Sequence, residues 1–162
     1  MSNPKIAIIM GSQSDLETMS EAVNLLKEFG AGYEVRVLSA HRTPEEVAKF
    51  AKDARKNGIK VIIAGAGGAA ALAGVIAAHT TLPVIGVPIE TSSLNGLDSL
   101  LSTVQMPGGV PVASMAIGRA GAKNAGIFAL EILGASDADM EKKLEAYKKS
   151  LAKKVKEIKL NV

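Results

Sequence analysis

Lys5-Ile-Ala-Ile-Ile-Met10, followed at once by Gly11-Ser-Gln-Ser-Asp15, decides how this chain is built. The first run is short, isoleucine-rich and free of polar alternation, the pattern of a strand buried on both faces of a parallel sheet. Gly11 breaks it. Leu16, Met19, Val23 and Leu26 then recur at helical spacing as far as Gly30, a residue suited to the left-handed position past a helix end. Strand, Gly/Ser turn and amphipathic helix together make half of a β-α-β unit, and the unit repeats.

Tyr33–Leu38 (YEVRVL) reads as a second strand, and Ser39-Ala40-His41-Arg42 follows it. Thr43 as N-cap, Pro44 in the first turn and Glu46 closing a capping box start a helix to Asn57, ended by Gly58. Val61–Ala64 is a third strand, feeding Gly65–Ala70 and an alanine-rich helix to about His79. Leu82–Val87 is a fourth, then a loop and short helix run through Gln105. A fifth strand is expected near Val112–Ile117 and a helix over Ala122–Leu133, closed by Gly134. Ser136 and Asp139 read as the next cap. Leu144, Tyr147, Leu151, Val155 and Ile158 then form one apolar stripe on a long last helix. This alternation predicts an α/β fold, a three-layer αβα sandwich with a five-stranded, mostly parallel sheet in the flavodoxin-like order 2-1-3-4-5. One domain over residues 1–162 is expected, with a core at about 5–134 and the C-terminal helix at about 137–160.

Composition narrows the function classes. Aromatics are 3% of the 162 residues and there is no Trp, so alanine, glycine and branched aliphatics must fill the core. With no cysteine, disulfides and thiolate metal sites are excluded. The N-terminal run lacks a signal-peptide cleavage pattern, and no apolar stretch approaches the roughly 18 residues that span a bilayer. A cytoplasmic protein without membrane contact is expected. The net charge of +3 is uneven: from Glu141 onward eight Lys face three acids, leaving the rest at minus two. Those lysines alternate with Glu beside a single Tyr, a solvated helix face and not the aromatic-interleaved stripe of a nucleic-acid binder.

In such sheets ligands sit beyond the carboxyl ends of the strands, where strand order reverses. The loops after strands 1, 2 and 3 are therefore the candidates. Gly11–Asp15 offers free amides, the hydroxyls of Ser12 and Ser14, and Asp15, which either holds a phosphate and ribose or merely caps a helix. Ser39-Ala40-His41-Arg42 offers a guanidinium suited to forked bonding with phosphate and an imidazole suited to proton transfer near neutral pH. The bland alternative pairs Arg42 with Glu45 or Glu46. Gly65-x-Gly67-x-x-Ala70, with Glu90 about 20 residues on, matches a dinucleotide fingerprint in spacing. The same glycines equally suit close backbone approach to a flat ring, or packing beneath a helix. His79, near a helix end, reads as a capping or surface residue. No metal-ligand spacing, serine elbow or P-loop is present.

Taken together, Gly11-Ser-x-Ser-Asp15, Ser39-Ala-His-Arg-Thr-Pro44, Gly65-Ala-Gly-Gly-Ala-Ala70 and Leu94-Asn-Gly-Leu-Asp-Ser-Leu100 resemble the bacterial PurE family. So does Ser102-Thr-Val-Gln-Met-Pro107 with Gly108-Gly-Val-Pro-Val112. The likeness runs from about Lys5 to Leu133. It implies N5-carboxyaminoimidazole ribonucleotide mutase chemistry: an intramolecular carboxyl shift, giving 4-carboxy-5-aminoimidazole ribonucleotide in purine biosynthesis without metal or other cofactor. It further implies His41 as general acid and base. Ser12, Ser14, Asp15 and Arg42 are implied on the ribose phosphate portion, Ser39 and Ala40 as further substrate-binding residues, and Gly65, Ala66, Gly67, Gly68, Ala69 and Ala70 facing the aminoimidazole and its carboxylate. A homo-octamer is implied, with the last helix between subunits.

One departure stands out: where many relatives carry Gly-Gly-Ala-Ala-His-Leu-Pro-Gly, this chain has Ala71 and Ala73 in place of the His and Pro. A related branch adds free carbon dioxide to aminoimidazole ribonucleotide and has Lys after the catalytic His; Arg42 favours the mutase branch. A non-catalytic nucleotide-binding module and a nicotinamide oxidoreductase are the readings from other classes.

Overall fold

The computed structural model describes residues 5–160. Its elements run β1 (Ile6–Met10), α1 (Leu16–Glu28), β2 (Tyr33–Val37), α2 (Pro44–Ala54), β3 (Val61–Ala66) and α3 (Leu72–His79). They continue with β4 (Val84–Pro88), α4 (Leu97–Val104), β5 (Ala113–Ser114), α5 (Gly118–Gly134) and α6 (Ala138–Lys156). The five strands pair in parallel in the order β2-β1-β3-β4-β5. This is the expected fold class and order.

Alternate residues of each central strand enter different cores, as the period of two requires. Ile6, Ile8 and Met10 of β1 join Val61, Ile63, Ile85 and Val87 under α1 and α5. Ala7 and Ile9 join Ile62, Ala64 and Val84 under α2 and α3. Each buried isoleucine contributes roughly 1.5–3 kcal/mol relative to exposure. Where bulky aromatics are absent, small residues let helices close up. Ala22 on α1 and Ala122, Ala125, Gly126 and Ala129 on α5 are buried at the crossing of these helices. A methyl on Gly126 would lie 2.9 Å from Leu25 Cδ2.

Several sequence expectations shift locally. The fifth strand is confined to Ala113–Ser114, paired only with Ile85 and Gly86, although its apolar pattern reads longer. Thr43 does precede α2, but makes no capping bond. Its hydroxyl instead accepts from the Ser39 amide at 3.0 Å and donates to the Ser39 carbonyl at 3.1 Å. Asp137, not Ser136 or Asp139, caps α6, accepting from the Met140 amide at 3.1 Å. Gly134 lies inside α5, where a methyl would press to 3.1 Å from Leu144 Cδ1; its smallness serves the approach of α6. Gly30 does end α1, at φ +68°, with its amide on the Lys27 carbonyl and the Ala31 amide on that of Leu26.

The last helix divides its stripe. Leu144 is buried, Tyr147 meets Phe29 edge-on at 5.5 Å between ring centroids, and Lys143 Nζ donates to the Phe29 carbonyl at the end of α1. Beyond them Leu151, Val155 and Ile158 stand exposed. No helix among the described residues is long and apolar enough to cross a membrane.

Candidate active site

Because all strands are parallel, the turns leaving β1, β2 and β3 emerge at one sheet edge, and β1 sits between the other two. They enclose a cleft of about 460 Å³, within the usual range for small-molecule sites. Ser12, Ser14, Asp15, Ser39, Ala40, His41, Arg42, Ala66, Gly67 and Ala70 all line it. Gly11, Ala71 and Leu72, which are not among the expected substrate-binding residues, complete the lining. Gly65, Gly68 and Ala69 do not line it. Gly65 is buried, and a methyl there would collide with the Met19 sulfur of α1.

The first turn is stiffened by its own side chains. Ser12 and Asp15 form a reciprocal capping box around a single 3₁₀ turn, Gln13–Asp15. Asp15 Oδ2 accepts from the Ser12 amide at 3.1 Å, and Ser12 Oγ accepts from the Ser14 hydroxyl at 3.0 Å. Asp15 is 8% exposed. Burial pushes its pKa above the ordinary 3.8, opposed by bonds from Ser12 and Ser14 and by the charge of Arg42. A carboxylate kept from water in this way is a strong acceptor for a ligand hydroxyl.

Arg42 leans from the second turn onto the first. Its Nη2 donates to the Gly11 carbonyl at 2.8 Å, and its Nε to Ser39 Oγ at 3.3 Å. The alternative pairing with Glu45 or Glu46 is not formed: among the described residues the ion pairs involve other cations. A guanidinium anchored by neutral acceptors keeps its charge available to an anion. His41 stands beside it, exposed, at the mouth of the cleft.

The third turn is held in unusual backbone. Gly68 has φ +65°, and Ala70 has φ +35°, a conformation that costs a non-glycine residue about 1–2 kcal/mol. Ala71 opens α3 and faces the cleft, so the departure from His falls in the site itself. Ala73 is buried in the α2–α3 core, so the departure from Pro falls on packing.

The dinucleotide reading fails on geometry. Gly65 and Ala66 belong to β3, α3 begins only at Leu72, and Gly65 packs against α1 and not its own following helix. Among the described residues no three His, Cys, Asp or Glu side chains gather as metal ligands. His79 ends α3, exposed, beside Lys52 and Arg55 in a separate surface groove that shares no lining residue with the cleft.

The fold is thus that of an α/β protein with a polar cleft at the switch point of its sheet, lined by a carboxylate, a guanidinium, an imidazole and serine hydroxyls. The chain belongs to the AIR carboxylase family, whose model matches residues 5–154. It is 61% identical to the N5-carboxyaminoimidazole ribonucleotide mutase of Bacillus subtilis, over 88% of each chain. It is 59% identical to that of Saccharolobus solfataricus, over 91% of this chain and 92% of the relative. A crystal structure of Treponema denticola PurE superimposes with a TM-score of 0.86 at 30% identity, covering 95% of both chains. The motif resemblance to PurE proteins therefore stands.

Proposed function

We propose that this chain catalyses the N5-carboxyaminoimidazole ribonucleotide mutase reaction, an isomerisation in purine biosynthesis, in the cleft between Gly11 and Leu72. The observation that carries the reading is the meeting of Asp15, His41 and Arg42 in that one cleft, in a chain whose relatives at 54–61% identity bear that name. Arg42 and the amides and hydroxyls of Ser12, Ser14 and Ser39 take the phosphate. The Asp15 carboxylate accepts from a ribose hydroxyl. The turn from Ala66 to Ala70, with little side chain beyond Cβ, lies flat against the aminoimidazole ring.

His41 is the general acid and base. It gives its proton to the exocyclic nitrogen as the N–CO2 bond breaks, releasing carbon dioxide within the cleft. The enamine-like C4 then attacks that carbon dioxide, a C–C bond forms, and His41 takes the C4 proton. One proton leaves and returns, so no cofactor is required by the balance. Holding both fragments together replaces a bimolecular encounter and is potentially worth ~7–11 kcal/mol.

The functional unit is a cytoplasmic homo-oligomer, an octamer, of single-domain subunits. Exposed Leu97, Leu101 and Val104 on α4, and exposed Leu151, Val155 and Ile158 along and just beyond α6, support self-association. The test is conversion of freshly prepared substrate carrying a ¹³C carboxylate, in unlabelled bicarbonate and without ATP. Label retained in the 4-carboxylate product is expected. Product made only from aminoimidazole ribonucleotide and free carbon dioxide would place the chain on the carboxylase branch instead.

A further inference from the structure

Ser99 takes no part in the cleft lining, yet it is tied to it. This residue of α4 is fully buried. Its Oγ donates to the Ile89 carbonyl at 2.7 Å and accepts from the Gly68 amide at 2.9 Å. Thr103, one turn later and also buried, donates to the Ser99 carbonyl at 2.7 Å and so holds that part of α4 in register. Gly68 precedes the two alanines of the third turn and itself sits at φ +65°. Ala70, which faces the cleft, sits at φ +35° with its amide on the Gly67 carbonyl at 3.2 Å. The turn thus carries backbone that Ala70 alone would not select, and one hydroxyl ties it to the segment after β4.

We infer that Ser99 is a positioning residue for the reaction, clamping the Gly67–Ala70 turn in its left-handed form so that it lies flat under the reacting ring. This rests on the proposed reading of the cleft. The proposed phosphate anchors, Ser12, Ser14, Ser39 and Arg42, belong to the other two turns, whereas the hydrogen bonds of Ser99 go to Gly68, Ile89 and Thr103. Loss of the clamp therefore acts on the chemical step and spares substrate capture. Misplacement of a turn by about 1 Å costs on the order of 100-fold in rate, so Ser99→Ala is expected to lower kcat by roughly 10- to 100-fold with KM little changed.

Rescue separates positioning from general stability. Glycine adopts φ +35° without the penalty Ala70 bears, so Ser99→Ala/Ala70→Gly should regain most of the lost kcat, with every variant assayed well below its unfolding transition so that kcat is read on folded protein. Hydrogen exchange of the wild-type Gly67–Ala70 segment should show the Gly68 amide strongly protected by its bond to Ser99; this measurement needs no variant to fold. A kcat for Ser99→Ala within twofold of wild type, a loss that Ala70→Gly does not restore, or free exchange at Gly68 would each overturn the inference. His41→Asn is assayed alongside. Turnover surviving in it would overturn the reading of the cleft and this inference with it, whereas an inactive His41→Asn beside an unimpaired Ser99→Ala overturns the inference alone.

Discussion

Gly65→Ala asks whether the first glycine of the third turn serves a ligand or the core. The added methyl would meet the Met19 sulfur inside van der Waals contact, with Met19 Cγ and Cε both at 3.0 Å. Met19 is fully buried, so its flexible side chain has nowhere to retreat. Overpacking of a closed core typically costs about 1–3 kcal/mol. For a domain of this size each kcal/mol lowers Tm by roughly 2–4 °C, so a fall of about 2–12 °C is expected. Thermal unfolding by circular dichroism at one protein concentration measures it, since the proposed assembly would make Tm concentration-dependent. The partner substitution Met19→Val removes bulk at the point of collision. The double variant should therefore be less destabilised than the two single changes summed, by about 0.5 kcal/mol or more. KM should stay near wild type. Unchanged Tm, strict additivity, or a raised KM with intact stability would refute the packing argument and return Gly65 to the ligand.

Asp15→Asn trades stability against binding. Because the native carboxyl holds its proton more tightly than the unfolded one, ionisation costs native stability as pH rises from about the ordinary 3.8 through the raised native value. The variant should therefore match or exceed wild-type stability near neutral pH, and lose that relative advantage on acidification through the same window, while kcat/KM drops about 10- to 150-fold for one lost charge-assisted bond. Urea titrations at several pH values and steady-state kinetics check both halves. Arg42→Ala should raise KM by a similar factor with a smaller effect on kcat, and Arg42→Lys should recover only part, lacking the fork. Val155→Glu, on the exposed end of α6, should leave the circular dichroism spectrum intact but shift sedimentation toward smaller species. An unchanged sedimentation coefficient would remove that helix from the assembly.

Much of this architecture is written locally. Unbroken apolar runs mark strands buried on two faces, and β1 to β4 fall within two residues of their expected ends. Parallel order then brings the three turns to one edge, which is why ten expected residues share the cleft. What escaped lies in partnerships across the chain. Arg42 reaches Gly11, and Gly68 reaches Ser99, each across 31 residues; no periodicity encodes such pairs. Thr43 was readable as a cap because its spacing to Glu46 is right, but the nearby Ser39 backbone competes for the same hydroxyl. The fifth strand reads long because Val112–Ile117 is apolar apart from Ser114, whereas only two residues find a partner on β4. Gly65 looked like a ligand glycine because spacing carries no information about which helix lies overhead.

Single-turnover conversion of freshly made N5-carboxyaminoimidazole ribonucleotide by wild type and by His41→Asn tests the central claim most directly, with phosphate-anchored binding of substrate measured in parallel. General acid–base catalysis contributes typically 10²–10⁴-fold. The variant should bind substrate with nearly wild-type affinity and form the 4-carboxylate at least about 100-fold more slowly. A variant that binds and turns over like wild type would contradict the assignment of His41 and the mechanism built on it.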